Sequence, residues 1–107
     1  MKINNDKRVL VSLVILGVCD ALKTQSISIL EAERLVFSPF MMKACDDCGP
    51  DLVEAIHRGT ELDDINDLIP QNLQEVIGQI ERLAARVLKE QVSSPSFGDT
   101  RWIDLLS

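Results

Sequence analysis

VLVSLVILGVC, residues 9–19, is the stretch of sequence that decides the fold of this chain. Lys7 and Arg8 precede it, and Asp20 follows it. A basic start with an apolar run of this length is typical of a secretory signal, but no good cleavage site follows the run. The run is also too short to cross a bilayer, which takes about 20 apolar residues.

A helix of the folded core explains the same stretch better. Asp6 lies in the first turn of such a helix and Lys23 in the last turn, and each charge has the sign that the helix dipole favours. A helix that is apolar on nearly all sides belongs at the centre of a bundle. We therefore predict a core helix over about residues 6–23, with Cys19 buried and reduced.

A second long helix is predicted over about residues 70–91, opening at Pro70. Its apolar side chains recur with a period near 3.6, which is typical of a helix packed on a core. These side chains are Leu73, Val76, Ile77, Ile80, Leu83, Ala84, Val87 and Leu88. No strand-like alternation of useful length occurs. The predicted fold class is all-α: a compact bundle of five or six helices in which the two long helices pack together.

Shorter helices are predicted between the two long ones. Ser28 and Glu31 form a capping box at the start of a helix that runs to Phe37. Gly49 and Gly59 are predicted to end two further helices in the left-handed conformation.

A fourth short helix is predicted to begin at a second cap, Thr60, and to end at Leu68. Leu35 is predicted to face inward from the first of these short helices. Ser38-Pro39 is predicted to break that helix and to open the next one.

The chain is predicted to consist of a helical domain, residues 1–91, and a flexible connector with a short apolar tail, residues 92–107. In the tail, Trp102, Leu105 and Leu106 are spaced so that one helical turn would present all three as anchors. Such a tail docks on its own domain, swaps onto a second copy, binds another protein or stays disordered.

The net charge of -6 excludes some classes of partner. Nucleic-acid binding starts from clustered Lys and Arg that neutralise phosphates, and anionic membrane surfaces also attract basic segments. We therefore expect no nucleic-acid and no membrane partner, and a basic protein remains a candidate.

An acidic cluster supplies the surface for such a partner. Its members are Glu61, Asp63, Asp64 and Asp67. The cluster lacks the glycine and the closing glutamate of a calcium-binding loop. It is either a solvated helix start, stabilised by the helix dipole, or a contact surface for a basic protein.

Cys45 and Cys48 form a C-x-x-C pair, for which only Cys19 and the sole histidine, His57, could complete four zinc ligands. The pair would lie near a helix C-terminus, beside two carboxylates, and both features disfavour a thiolate. We therefore predict ordinary reduced thiols, with a zinc site or a redox pair as alternatives.

Catalytic motifs are not visible in the sequence. A single histidine does not support a Ser–His–Asp arrangement, and the five glycines are scattered rather than grouped in a phosphate-binding loop. We therefore predict that the protein is not an enzyme and needs no cofactor.

Two blocks of sequence resemble a family of short bacterial proteins of unknown function. They are SILEAERLVFSP, residues 28–39, and EAIHRGTELDDI, residues 54–65, which continues to Pro70. The resemblance covers about residues 9–89. It implies a cytoplasmic, all-helical domain that includes the first helix, and it assigns no catalytic residues. The tail after Gln91 looks specific to this protein.

The function predicted from these observations is a non-enzymatic protein-interaction module of the bacterial cytoplasm. One concrete form is an acidic immunity or adaptor protein whose 61–67 surface binds a basic partner. A self-assembling homodimer, formed through the last long helix or the tail, is the first alternative. A small zinc protein that uses the C-x-x-C pair is the second.

Overall fold

The structure is a computed structural model that describes residues 5–92 of the chain. These residues form six α-helices and two short 3₁₀ turns, with no strand among them. The helices are α1 (Asn5–Lys23), α2 (Ile29–Leu35), α3 (Pro39–Ala44), α4 (Pro50–Thr60), α5 (Leu62–Leu68) and α6 (Leu73–Val92), and the turns are Asp46–Cys48 and Pro70–Asn72. The all-α prediction is confirmed.

The two long helices, α1 and α6, pack side by side and run antiparallel. Leu22 at the end of α1 and Leu73 at the start of α6 line the same groove. Nearby, Lys23 Nζ lies 2.8 Å from Glu81 Oε2. The buried side chains that α1, α4 and α6 contribute to the core include Ile15, Cys19, Leu52, Ile56, Ile77, Ile80 and Val87. The predicted pair of long core helices is therefore confirmed.

The position predicted for α1 at the centre of the bundle is wrong. Ile15 and Cys19 are fully buried against the other helices, but Leu13 is 47% exposed and Val14 is 45% exposed. The helices that pack on α1 all approach one side of it, so its opposite side stays at the surface of residues 5–92. The buried hydroxyl of Ser12 donates to Arg8 O at 2.7 Å, which satisfies this polar group inside the helix.

The capping box at the start of α2 is confirmed. Glu31 N–H donates to Ser28 Oγ at 3.1 Å, and Ser28 N–H donates to Glu31 Oε1 at 2.9 Å. The helix ends two residues earlier than predicted, because the chain turns at Val36. The turn buries Val36 and Phe37, and it leaves Leu35 exposed rather than inward.

Removing the cap should destabilise the protein by a moderate amount. We expect Ser28→Ala to lower the free energy of unfolding by about 1 kcal/mol, because two backbone N–H groups at the start of α2 depend on the box. Urea unfolding measures the change. Ser26→Ala is the matched control, since the Ser26 hydroxyl pairs only with the exposed Thr24 hydroxyl. Equal losses in both variants would contradict the role of the cap.

Gly49 and Gly59 both lie at or near helix ends, but neither has the predicted left-handed helical conformation. Gly49 has φ 90° and ψ 163°, a conformation that favours glycine, and it ends the 3₁₀ turn Asp46–Cys48 and precedes α4. Gly59 is buried inside α4, which ends one residue later at Thr60, and its φ is not positive. A Cβ atom at this position would lie 2.2 Å from the ring of Phe37. Position 59 therefore has no room for a side chain, because the Phe37 ring packs on the helix there.

The second predicted cap is also wrong. Thr60 is the last residue of α4, and its hydroxyl donates backward to His57 O at 2.6 Å. Glu61 precedes α5 and makes no side-chain cap hydrogen bond. The predicted start of α3 at Ser38-Pro39 is confirmed. Ser38 Oγ accepts from Met41 N–H at 3.2 Å, and Pro39 lies in the first turn.

None of the helices within residues 5–92 is long and apolar enough to span a bilayer.

Candidate functional site

The predicted acidic cluster lies on α5, a short helix anchored by Leu62, which is fully buried. Glu61, Asp64 and Asp67 are exposed, and Asp63 is partly exposed. Residues three apart share a side of a helix, so the exposed carboxylates project together from the surface. The structure therefore brings the four predicted residues to one place.

A fifth carboxylate, Glu33 of α2, joins the cluster. The pKa of Glu33 is raised, first by its partial burial and then by the neighbouring charges of Asp63 and Asp64. The backbone of Asp63 lies close enough to the Glu33 carboxylate to oppose part of this rise in its pKa. Sequence reasoning missed this residue, because only the packing of α2 on α5 brings the two segments together. We call Glu33, Glu61, Asp63, Asp64 and Asp67 the acidic surface.

The acidic surface has no cationic partner within residues 5–92. Ion pairs in this part of the chain use other carboxylates: Asp47 with Lys7, Glu81 with Lys23, Glu54 with Arg58, Glu75 with Arg82, and Asp51 with Arg86. Negative charge is therefore concentrated on α5 and the adjoining side of α2, where it creates a potential that attracts a basic molecule.

The crowding of these carboxylates predicts a pH-dependent stability. We expect Glu33→Gln to raise the free energy of unfolding at pH 7, because the fold holds the pKa of this carboxyl above its ordinary value and so disfavours its charge. The penalty exists above the raised pKa and is gone below the pKa of the unfolded chain, about 4.3. The gain should therefore shrink as the pH falls from 7 to 4.

Urea unfolding of Glu33→Gln across this pH range measures the effect. Glutamine keeps an acceptor for the Asp63 backbone, so the substitution removes charge with little change of shape. Glu90→Gln, at an exposed position of α6, is the control for a change in net charge. A gain that increases toward acid pH would show that Glu33 is not under repulsion from Asp63 and Asp64.

Apolar side chains adjoin the carboxylates at the end of α5. Leu68 is 80% exposed and Ile69 is 43% exposed. Leu68 follows Asp64 by four residues and so shares its side of the helix. An apolar centre with a charged rim is the usual composition of a protein–protein interface.

Cys45 directly precedes the 3₁₀ turn Asp46–Cys48, and Cys48 is the last residue of that turn, so the two cysteines do not lie within one α-helix; both are buried. Lys7 donates to Asp47 Oδ1 at 2.9 Å and also to Ala44 O. The pKa of Cys45 is lowered to about 7, first by the neighbouring Cys48 thiol and then by the Lys7 ammonium, against the effect of burial. The Cys48 thiol itself donates to Asp47 Oδ1 at 3.8 Å. The pKa of Cys48 is raised by the neighbouring Cys45 thiol and by burial.

The effect predicted for the neighbouring carboxylates is therefore outweighed at Cys45. Asp46 and Asp47 do raise its pKa, as expected, but Cys48 and Lys7 outweigh them. All three cysteines are buried and free of disulfide bonds. Burial raises the pKa of Cys19 on α1 to about 12, so this thiol is inert.

The weak zinc candidates do not assemble into a site. Cys45 and Cys48 are buried, whereas His57 is exposed near the end of α4. Among residues 5–92, no group of three or more His, Cys, Asp and Glu side chains is arranged to hold a metal ion. His57 and Arg58 occupy the last turn of α4, where cations suit the free carbonyls.

A groove of about 330 Å³ between α4 and α6 is lined by arginines, together with Gln79 and Leu83. Each guanidinium has a carboxylate partner. The nitrogen–oxygen distance is 2.9 Å for Arg58 and Glu54, 3.6 Å for Arg82 and Glu75, and 3.5 Å for Arg86 and Asp51. The positive charge of the groove is thus compensated inside the protein. The acidic surface is the stronger candidate because no cation of residues 5–92 compensates its charge through an ion pair.

The other predicted contact residues, Trp102, Leu105 and Leu106, lie outside the described residues, as does most of the predicted connector. The division into a 1–91 domain and a 92–107 tail therefore stays a prediction.

Comparison with known proteins gives one family. The model of the family described as "Protein of unknown function (DUF3969)" matches residues 2–104. No curated protein and no solved structure matches the chain significantly. The match extends beyond Gln91 and includes Trp102, so the interpretation of the tail as specific to this protein is wrong as far as residue 104.

Proposed function

The chain belongs to a family of proteins of unknown function (DUF3969), and we propose that it is a non-catalytic interaction module whose acidic surface binds a basic protein. The observation that carries the proposal is the segregation of charge. Five carboxylates collect on α2, on α5 and at the start of α5 without an ion pair to a cation of residues 5–92, while the arginines of α4 and α6 are paired.

The repulsion within the acidic surface supports this role. The pKa of Glu33 is raised first by partial burial and further by the charges of Asp63 and Asp64. A basic partner would relieve that repulsion on binding, so part of the binding energy comes from strain already present in the free protein. Exposed Leu68 and Ile69 would add apolar contact area beside the charges.

Such a module has two concrete forms: an immunity protein that neutralises a basic toxin, or an adaptor that holds a basic protein in a complex. In both forms the carboxylates steer the encounter and select the partner. We place the module in the cytoplasm. This location is supported by the packing of α1 into the core, which fits the core-helix interpretation of residues 9–19 rather than a removable signal.

Affinity capture from the native cell, with paired charge variants, tests the proposal. The test variant Glu61→Lys/Asp64→Lys reverses two charges of the acidic surface. The control Asp46→Lys/Glu90→Lys changes the net charge by the same amount at exposed positions elsewhere. We expect the wild type and the control to recover the same basic protein, and the test variant to lose it.

The recovered complex should also weaken with salt, because contacts between exposed charges are screened over about 8 Å at physiological ionic strength. Loss of the partner from both variants would show that only net charge matters. Retention by the test variant, or recovery of no partner by the wild type, would refute the proposal.

A further inference from the structure

The outward side of α1 presents an apolar stripe that the other described helices leave uncovered. Leu10, Leu13, Val14 and Gly17 are spaced i, i+3, i+4 and i+7, so they lie along one side of the helix. Nearly half of the surface of Leu13, and nearly half of that of Val14, is exposed to solvent. We call these four residues the outward face of α1.

Gly17 has no side chain, so the surface of α1 is flat at this point of the outward face. Glycine weakens the interior of a helix, so its presence there usually serves a close contact. Gly49 is explained by its φ of 90° and Gly59 by the ring of Phe37, while Gly78 of α6 would meet only the flexible end of Arg82. A Cβ added at Gly17, by contrast, would meet nothing within 4 Å. The part of the chain that the structure describes therefore holds no atom that requires a glycine here.

We propose that the C-terminal segment 102–106 of the same chain docks on the outward face of α1. The segment carries Trp102, Leu105 and Leu106 at a spacing that presents all three from one helical turn. An indole ring is the kind of large flat group for which a glycine leaves room. The family match reaches residue 104, so the start of this segment belongs to the family's common length.

The reach of the chain favours this site over Leu68 and Ile69, two exposed apolar residues near the start of α6. Because α1 and α6 run antiparallel, Val92 at the end of α6 lies toward the start of α1. Nine residues lie between Val92 and Trp102, and these ten steps along the chain span at most about 36 Å. Leu68 and Ile69 lie near the start of α6, a helix about 30 Å long, so a tail docked there would need an almost fully extended connector.

Trp102 is the one tryptophan of the chain, so its fluorescence reports docking directly. In the wild type we expect an emission maximum to the blue of free tryptophan, weak quenching by acrylamide and no dependence on protein concentration. Val14→Lys should shift the emission to the red and strengthen quenching, since a charge on the face shifts the docking equilibrium by about tenfold or more. Leu68→Lys, at an exposed position far from the face, is the matched control and should leave both readings unchanged.

Gly17→Gln is a second test that does not put a charge on the face. It fills the flat place, meets no described atom at its Cβ and improves helix propensity, so it should release Trp102 without loss of the helical circular dichroism signal. A solvent-exposed Trp102 in the wild type would overturn the proposal, as would an unchanged signal in both Val14→Lys and Gly17→Gln. A blue-shifted signal that disappears on dilution, with a dimer in sedimentation, would identify a second copy as the occupant and equally overturn docking within one chain.

Discussion

Replacing Gly59 by alanine is expected to lower the free energy of unfolding by about 3 kcal/mol, at the upper end of the cost of overpacking a core. The added Cβ would lie 2.2 Å from two atoms of the Phe37 ring, and both residues are inside the core. Neither the backbone of α4 nor the ring can withdraw without disturbing neighbours such as Ala32 and Ile56, which are fully buried.

Gly78→Ala in α6 is the matched control for Gly59→Ala. The added Cβ at Gly78 would meet only the end of the flexible Arg82 side chain, at 3.3 Å. This variant should gain about 0.5–1 kcal/mol, because alanine is the better helix former. Urea unfolding of both variants measures the contrast. If Gly59→Ala were as stable as the wild type, Phe37 would not pack against α4 as described.

Ile15→Ala is expected to destabilise the protein by about 3 kcal/mol, whereas Val14→Ala should cost less than about 1 kcal/mol. The two residues are adjacent in the apolar run, but Ile15 is fully buried and Val14 is 45% exposed. The truncation at position 15 leaves a cavity between α1 and its neighbours, and the truncation at position 14 leaves none.

Unfolding by urea, with circular dichroism as the probe, measures both losses on the same scale. The slope of the free energy against urea concentration should be unchanged in both variants, which shows that the same surface unfolds. Docking of segment 102–106 would cover Val14 at the surface without enclosing it, so the loss at position 14 should stay below the loss at position 15. Equal losses would mean that other helices enclose α1 on both sides. Such a result would restore the predicted central position of this helix.

Much of the local structure could be predicted because its causes are close in sequence. The capping box of Ser28 and Glu31 and the proline at the first turn of α3 depend on residues within one helical turn. The stripe of α6 is equally local, since a period of 3.6 residues requires no knowledge of the partner. These are the features for which prediction and structure agree.

Features with distant causes could not be predicted in the same way. Arg58-Gly59-Thr60 has the pattern of a helix end, and only the ring of Phe37, twenty-two residues earlier, reveals a close contact instead. The low pKa of Cys45 likewise depends partly on Lys7, which reaches the turn from the start of α1.

The candidate site shows the same division. Asp63 and Asp64 were found from the sequence because they are neighbours, but Glu33 joins them through the packing of α2 on α5. The exposed side of α1 was missed because an apolar sequence does not say which of its sides has a partner. In each case the missing information was tertiary contact rather than helix propensity.

The central structural claim is that residues 9–19 form a helix packed on α6, and thiol labelling of Cys19 tests it most directly. This thiol is fully buried, and burial raises its pKa to about 12. It should therefore react with an alkylating reagent only when the whole domain unfolds. Mass spectrometry of digested protein follows Cys19 separately from Cys45 and Cys48. We predict that the opening free energy obtained from Cys19 equals the free energy of global unfolding from urea. Labelling of Cys19 in the native protein at the rate of an exposed thiol would contradict the claim.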